Sequence, residues 1–153
     1  MTTPDTISPR IIEGLYGEAL VLADEVRAAF DLSGRIDAVG LPEDEARVAL
    51  SCEALRTTTR MMHALAWLLN HRAYFSGDLS EFQLRRHGKL ASFLASDPQK
   101  VVLLNDETRN LVASTERFYA RLRRLDASWR DREIRVPSAI DTLRERLGRT
   151  AAG

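Results

Sequence analysis

Apolar residues recur in alternating steps of three and four along three stretches of the chain, the spacing of amphipathic helices and not of strands. The first runs Ile12, Leu15, Ala19, Leu22, Val26, Ala29 and ends near Phe30. Ser8-Pro9 opens it, a hydroxyl cap followed by a proline whose missing N–H costs nothing at the first helical position. "DLSGRIDAVGLP" breaks the pattern with glycines and Pro42. A second helix is expected from about Pro42 to Ser76, with Glu43, Asp44 and Glu45 at its positive end and Gly77 as its stop. The third, from about Asn105 to Arg130, carries Leu104, Thr108, Leu111, Thr115, Phe118, Leu122, Leu125 and Trp129 in heptad steps.

Between the second and third helices the pattern weakens. Ser80 with Gln83 fits a capping box, Gly88 interrupts and Pro98 ends the segment, so a short extra helix is expected within residues 77–104. After Val136-Pro137 a cap at Ser138–Asp141 starts a short charged helix that Gly148 closes, anchored only by Ile140, Leu143 and Leu147. The expected architecture is all-α: an antiparallel three-helix bundle over residues 1–136 and a mobile C-terminal tail over 137–153.

The middle helix is apolar nearly all round; eight of the nine residues after Arg60 are apolar. At about 100° per residue its circumference divides into three faces. The face centred on Met62, with Val48, Leu55, Thr58, Thr59, Leu65, Ala66, Leu69 and Ala73, is read as core. It is expected to meet Leu15, Leu22, Leu111, Phe118 and Leu122. A second face (Leu50, Ala54, Thr57, Met61, Ala64, Leu68 and Phe75) is surplus to a simple bundle. Leu50, Thr57, Met61, Leu68 and Phe75 are therefore the expected interface of a homodimer. The remaining face holds Arg56, Arg60, Trp67, His71 and Tyr74, residue types that dominate interfaces, and is expected to dock a protein partner. The competing reading covers Trp67 with the 77–104 segment or the last helix. Thr57, Thr58 and Thr59 form a small hydroxyl-bearing layer able to bond back to the preceding turn.

Charge is balanced overall but not along the chain. Residues 1–55 hold 11 acidic and 4 basic residues, a balance of −7; residues 56–153 hold 11 and 18, a balance of +7. The acidic part is expected to fold against the basic part. The single Cys52 permits no internal disulfide. "MTTPDTISPR" lacks the basic-then-apolar order of a leader, and the longest apolar run, Ala64–Leu69, is far short of the roughly 20 residues that cross a bilayer. A cytoplasmic protein is expected, with no membrane partner.

Catalytic templates fail. Gly14 and Gly17 lie within a helix and do not follow a strand, so no phosphate loop forms. His63 and His71 are eight apart and no Glu-x-x-His pair occurs, so neither a metal nor a cofactor is expected. Cys52 reads as an inert structural thiol. The protein is expected not to be an enzyme.

"EALRTTTRMMHALAWLLNHRA", residues 53–73, resembles the signature helix of the RcdA family, named for regulating degradation of the CtrA transcription factor. The matching positions are Leu55, Arg56, Thr58, Thr59, Arg60, Ala66, Trp67, Leu68, Leu69, Arg72 and Ala73. The resemblance implies a homodimeric three-helix-bundle adaptor that brings chosen substrates, or a second adaptor, to the ClpXP protease during the bacterial cell cycle. The alternative is a small DNA-associated transcriptional regulator using the basic C-terminal half. Its arginines (109, 117, 121, 123, 124 and 130) are interleaved with Glu116, Asp126 and Asp131 and make no clean stripe, so nucleic acid is not the expected partner.

Overall fold

The computed structural model describes residues 7–31, 44–92, 95–135 and 139–151, and every regular element among them is helical. Helix α1 spans Pro9–Asp31, α2 Asp44–Ser76, α3 Glu81–His87, α4 Pro98–Val101, α5 Asp106–Arg135 and α6 Ala139–Ala151. The loop expected at residues 31–42 lies, apart from Asp31 at the end of α1, outside the described residues, as do the predicted helix start at Pro42 and the Ser138 cap. Among these elements no helix is long and apolar enough to cross a membrane.

Local chemistry sets the ends. Ser8 Oγ accepts from the Ile11 amide at 3.3 Å. Ile7 and Ile12, both buried, occupy the two positions of a hydrophobic staple. Gly77 has φ +87°, the left-handed conformation that stops α2 at little steric cost. Ser80 and Gln83 close the expected capping box reciprocally. Gly88 follows α3 where a Cβ would collide with the Leu84 carbonyl oxygen. Helix α6 differs from expectation: it continues through Gly148 to Ala151.

Helices α1, α2 and α5 pack on one another, but not all antiparallel. Arg72 on α2 reaches Glu13 on α1 at 2.6 Å, and Arg121 on α5 reaches Glu18 at 2.8 Å, so α1 opposes both. Along α2 and α5 the pairings rise together: Arg60 with Thr115, Trp67 with Asp126, His71 with Trp129. These two helices are therefore parallel, which corrects the antiparallel expectation for this pair. The physical reason is the connection. Residues 88–92 follow α3, near the C-terminal end of α2, and residues 95–97 precede α4, near its N-terminal end; these two described pieces are called the strap. The chain thus returns from one end of α2 to the other before α5 starts, so α5 runs in the same direction as α2.

The core is built from Ile12, Leu15, Ala19, Val26, Met61, Ala64, Trp67, Leu68, Leu90, Phe118, Tyr119 and Leu122. Leu15, Phe118 and Leu122 are core as expected, whereas Leu22, Leu65 and Leu111 are only partly buried against it. Met62 and Leu69 are not core: they are 63% and 47% exposed.

Candidate functional site

Helix α2 has no idle face, and each face differs from its sequence reading. The first is a seam with α5. Glu53, Thr57, Arg60, Ala64, Trp67 and His71 alternate in steps of four and three, and all are buried. Opposite them Thr108, Val112, Thr115, Tyr119, Leu122 and Asp126 keep the same rhythm and are also buried. Two parallel helices with matched heptads interdigitate in this way.

This seam holds the residues expected to form a surface patch. Trp67 is 2% exposed and donates its indole N–H to Asp126 Oδ1 at 3.0 Å. Asp126 Oδ2 accepts from the Leu90 amide at 3.3 Å, and Arg130 Nε lies 3.3 Å from both oxygens. A buried carboxylate with this many donors has its desolvation offset by charge-assisted bonds. His71 is 1% exposed, its ring 4.1 Å from that of Trp67 and 5.6 Å from that of Trp129. Burial drives its pKa down to about 4, with Arg130 acting in the same direction against Asp126. His71 is therefore neutral at physiological pH, and its buried Nε2 has no hydrogen-bond partner among the described residues.

Higher along the seam Arg60 is 1% exposed and donates to Thr115 Oγ1 at 2.9 Å and Ser96 Oγ at 3.3 Å, with Glu116 at 3.5 Å. Burial lowers its pKa; Glu116 and Glu53 oppose that shift. Glu53, fully buried, accepts from Arg56 at 2.6 Å and from the Asp97 amide at 3.2 Å. The Tyr119 hydroxyl donates to the Ala91 carbonyl, and burial raises its pKa. Thus the patch of Arg56, Arg60, Trp67, His71 and Tyr74 does not exist as a surface. The strap and α5 cover Arg60, Trp67 and His71; Arg56 and Tyr74 are half-buried. Polar partners on α5 make that burial tolerable, and those partners were not visible from α2 alone.

The second face packs inside the chain. Thr57, Met61 and Leu68 are buried, Leu50 is half-buried, and Phe75 alone of the expected interface is exposed. The proposed dimer face of Leu50, Thr57, Met61, Leu68 and Phe75 is thus mostly this chain's own interior: Met61 and Leu68 join the core with Ile12, Leu15 and Ala19 of α1, and Thr57 is buried in the α5 seam. Thr57 Oγ1 does not bond back to the preceding turn; it is buried without a hydrogen-bond partner among the described residues.

The third face, read from sequence as core, points outward. Val48, Leu55, Met62 and Leu69 are 57%, 70%, 63% and 47% exposed. Their spacing of seven was visible in the sequence; what it could not tell was which of three apolar or amphipathic faces the rest of the chain would leave uncovered. Two clefts border this row. One, of about 310 Å³, lies beside Met62 and Ala66 and is closed by Gly88, Lys89 and Ala91. The other, of about 520 Å³, lies beside Val48 and reaches Leu103.

The histidines stay apart in chemistry. No group of three or more His, Cys, Asp or Glu side chains is placed to hold a metal among the described residues. Cys52 is half-buried and free.

A family model described as Protein of unknown function (DUF1465) matches residues 3–151. The chain belongs to that family. The match spans all six helices, so the polar seam, the strap and the outward row all lie within the family domain. No curated protein and no solved structure matches the chain.

Proposed function

We propose that the protein is a non-enzymatic, cytoplasmic adaptor with a three-helix-bundle body, delivering transcription-factor-type substrates to the ClpXP protease in cell-cycle control. The observation that carries this reading is the apolar edge of α6. Ile140, Leu143 and Leu147 lie on one side of that helix and are 63%, 58% and 64% exposed. Spacings of three and four give an amphipathic helix the anchors it lays into a partner's hydrophobic groove. A second support is the resemblance of residues 53–73 to the RcdA signature helix. The mechanism is raised effective concentration: one surface holds the protease or a second adaptor while another holds the substrate.

The alternative, a DNA-associated regulator, has less support. Arg60 is buried, Arg121 pairs with Glu18 and Arg130 with Asp126, which leaves fewer arginines of the basic half for phosphates.

The test is degradation of a CtrA-type substrate by purified ClpXP with the full chain and with a chain ending at residue 138. The full chain should accelerate degradation, and removal of α6 should abolish the effect while the remaining helices still melt cooperatively. If the full chain leaves the degradation rates of all such substrates unchanged, the adaptor reading fails.

A further inference from the structure

We infer that the cleft between α2 and the strap binds a small phosphate monoester with an apolar or aromatic body. The inference does not depend on the adaptor reading. It starts from the side chains that border the 310 Å³ cleft. His63 and Asn70 stand on the α2 side, His87 and Lys89 on the side of α3 and the strap. His63 and His87 assemble no metal set, yet they share this recess.

Charge points to an anion. The chain carries no net charge and holds 22 acidic residues, but none of the described residues bordering the cleft is acidic. Three of the four nitrogen-bearing side chains are basic, and all four donate N–H. The His87 ring, the Lys89 ammonium and the Asn70 amide have no hydrogen bond or ion pair among the described residues. The carboxylate tied to the cleft wall, Asp126, is buried and paired with Arg130 at 3.3 Å.

Both walls are held in place. Asp126 takes the indole N–H of Trp67 on the α2 side and the Leu90 amide on the strap side, and the Ala91 carbonyl accepts from Tyr119. A recess held in this way loses little freedom when it fills.

The donors favour a phosphoryl group over a carboxylate. No arginine borders the cleft, so the planar fork that matches a carboxylate two-to-two is missing. Lysine and imidazole donate as separate points, and here they stand on two sides. That suits three oxygens spread around one phosphorus better than two in a plane. Met62, Ala66, Ala91 and the edge of Trp67 leave an apolar surface for the rest of the molecule. A volume of about 310 Å³ is at the small end for ligand sites, room for one ring or one nucleoside.

Titration of the full chain with phenyl phosphate and with adenosine monophosphate, followed by two-dimensional amide NMR, tests this. At least one should saturate with a Kd of about 1 mM or tighter. The Lys89 and Ala91 amides, the Asn70 side-chain amide and the Trp67 indole N–H should move on one curve. Inorganic phosphate, benzyl alcohol and benzoate should each bind at least about tenfold more weakly than phenyl phosphate. Lys89→Glu should weaken binding at least about tenfold, whereas Lys100→Glu, the same charge change at the chain's other lysine, should leave it within about twofold. Ala66→Phe fills the cleft without altering a charge and should abolish binding. Ala66 and Lys89 are exposed, so both variants should keep the parent's melting temperature. No saturation by either probe at about 10 mM, benzoate binding as tightly as phenyl phosphate, equal losses from K89E and K100E, or an A66F protein that binds like the parent would each overturn the proposal.

Discussion

Trp67 and Asp126, 59 positions apart in the chain, meet through a buried 3.0 Å hydrogen bond from indole N–H to carboxylate. The contact is one of the pairings that rise together along α2 and α5, and the same carboxylate also takes the Leu90 amide and Arg130. One side chain thereby ties two helices and the strap together.

Asp126→Ala should destabilise the fold by about 3–5 kcal/mol, since it leaves the Trp67, Leu90 and Arg130 donors buried or half-buried without their acceptor. Urea unfolding followed by tryptophan fluorescence would measure it. A loss under about 1 kcal/mol would mean water replaces the carboxylate freely.

His71 gives a pH dependence of definite sign. Its folded pKa is about 4, below the 6.5 of the unfolded chain, so the unfolded state binds the proton more readily between those values. Stability present above pH 6.5 is lost as pH falls toward 4, by up to about 3 kcal/mol from this group. His71→Phe should flatten the stability–pH curve in that window. Equal slopes for the two proteins would show that carboxylate protonation alone governs acid unfolding.

Neighbouring residues on α2 should respond oppositely to truncation. Leu68→Ala removes a fully buried side chain and should cost about 2–5 kcal/mol. Met62→Ala and Leu69→Ala, on the outward row, should each stay within about 0.5 kcal/mol for the monomer. Denaturant midpoints at low protein concentration compare all three.

The presence and order of the long helices were legible in the sequence because apolar period, Ser8-Pro9, Gly77 and the Ser80–Gln83 box are local signals; α4, which starts at the Pro98 read as the end of a segment, and the runs of α5 to Arg135 and of α6 through Gly148 were not. The choice of face on α2 was not. That helix offers apolar or aromatic residues on every side, and its own pattern does not rank them. The ranking comes from α5, where Asp126 and Thr115 supply acceptors for Trp67 and Arg60 and so draw the more polar face inward. The parallel course of α2 and α5 was hidden for a related reason: a weakly patterned connection does not reveal that it runs the length of a helix.

The strap is held largely by its main chain. The amides of Leu90, Ser96 and Asp97 go to Asp126, Glu116 and Glu53, and the carbonyl of Ala91 goes to Tyr119. Every amino acid except proline offers that amide, so these particular contacts are indifferent to what the strap's residues are. Substitution should therefore be cheap at Ser92 and Ala95, which are exposed, and proline should be excluded at 90, 96 and 97. The burden of specificity falls on the two flanking helices, where the side chains that grip cannot be exchanged without releasing the segment they hold.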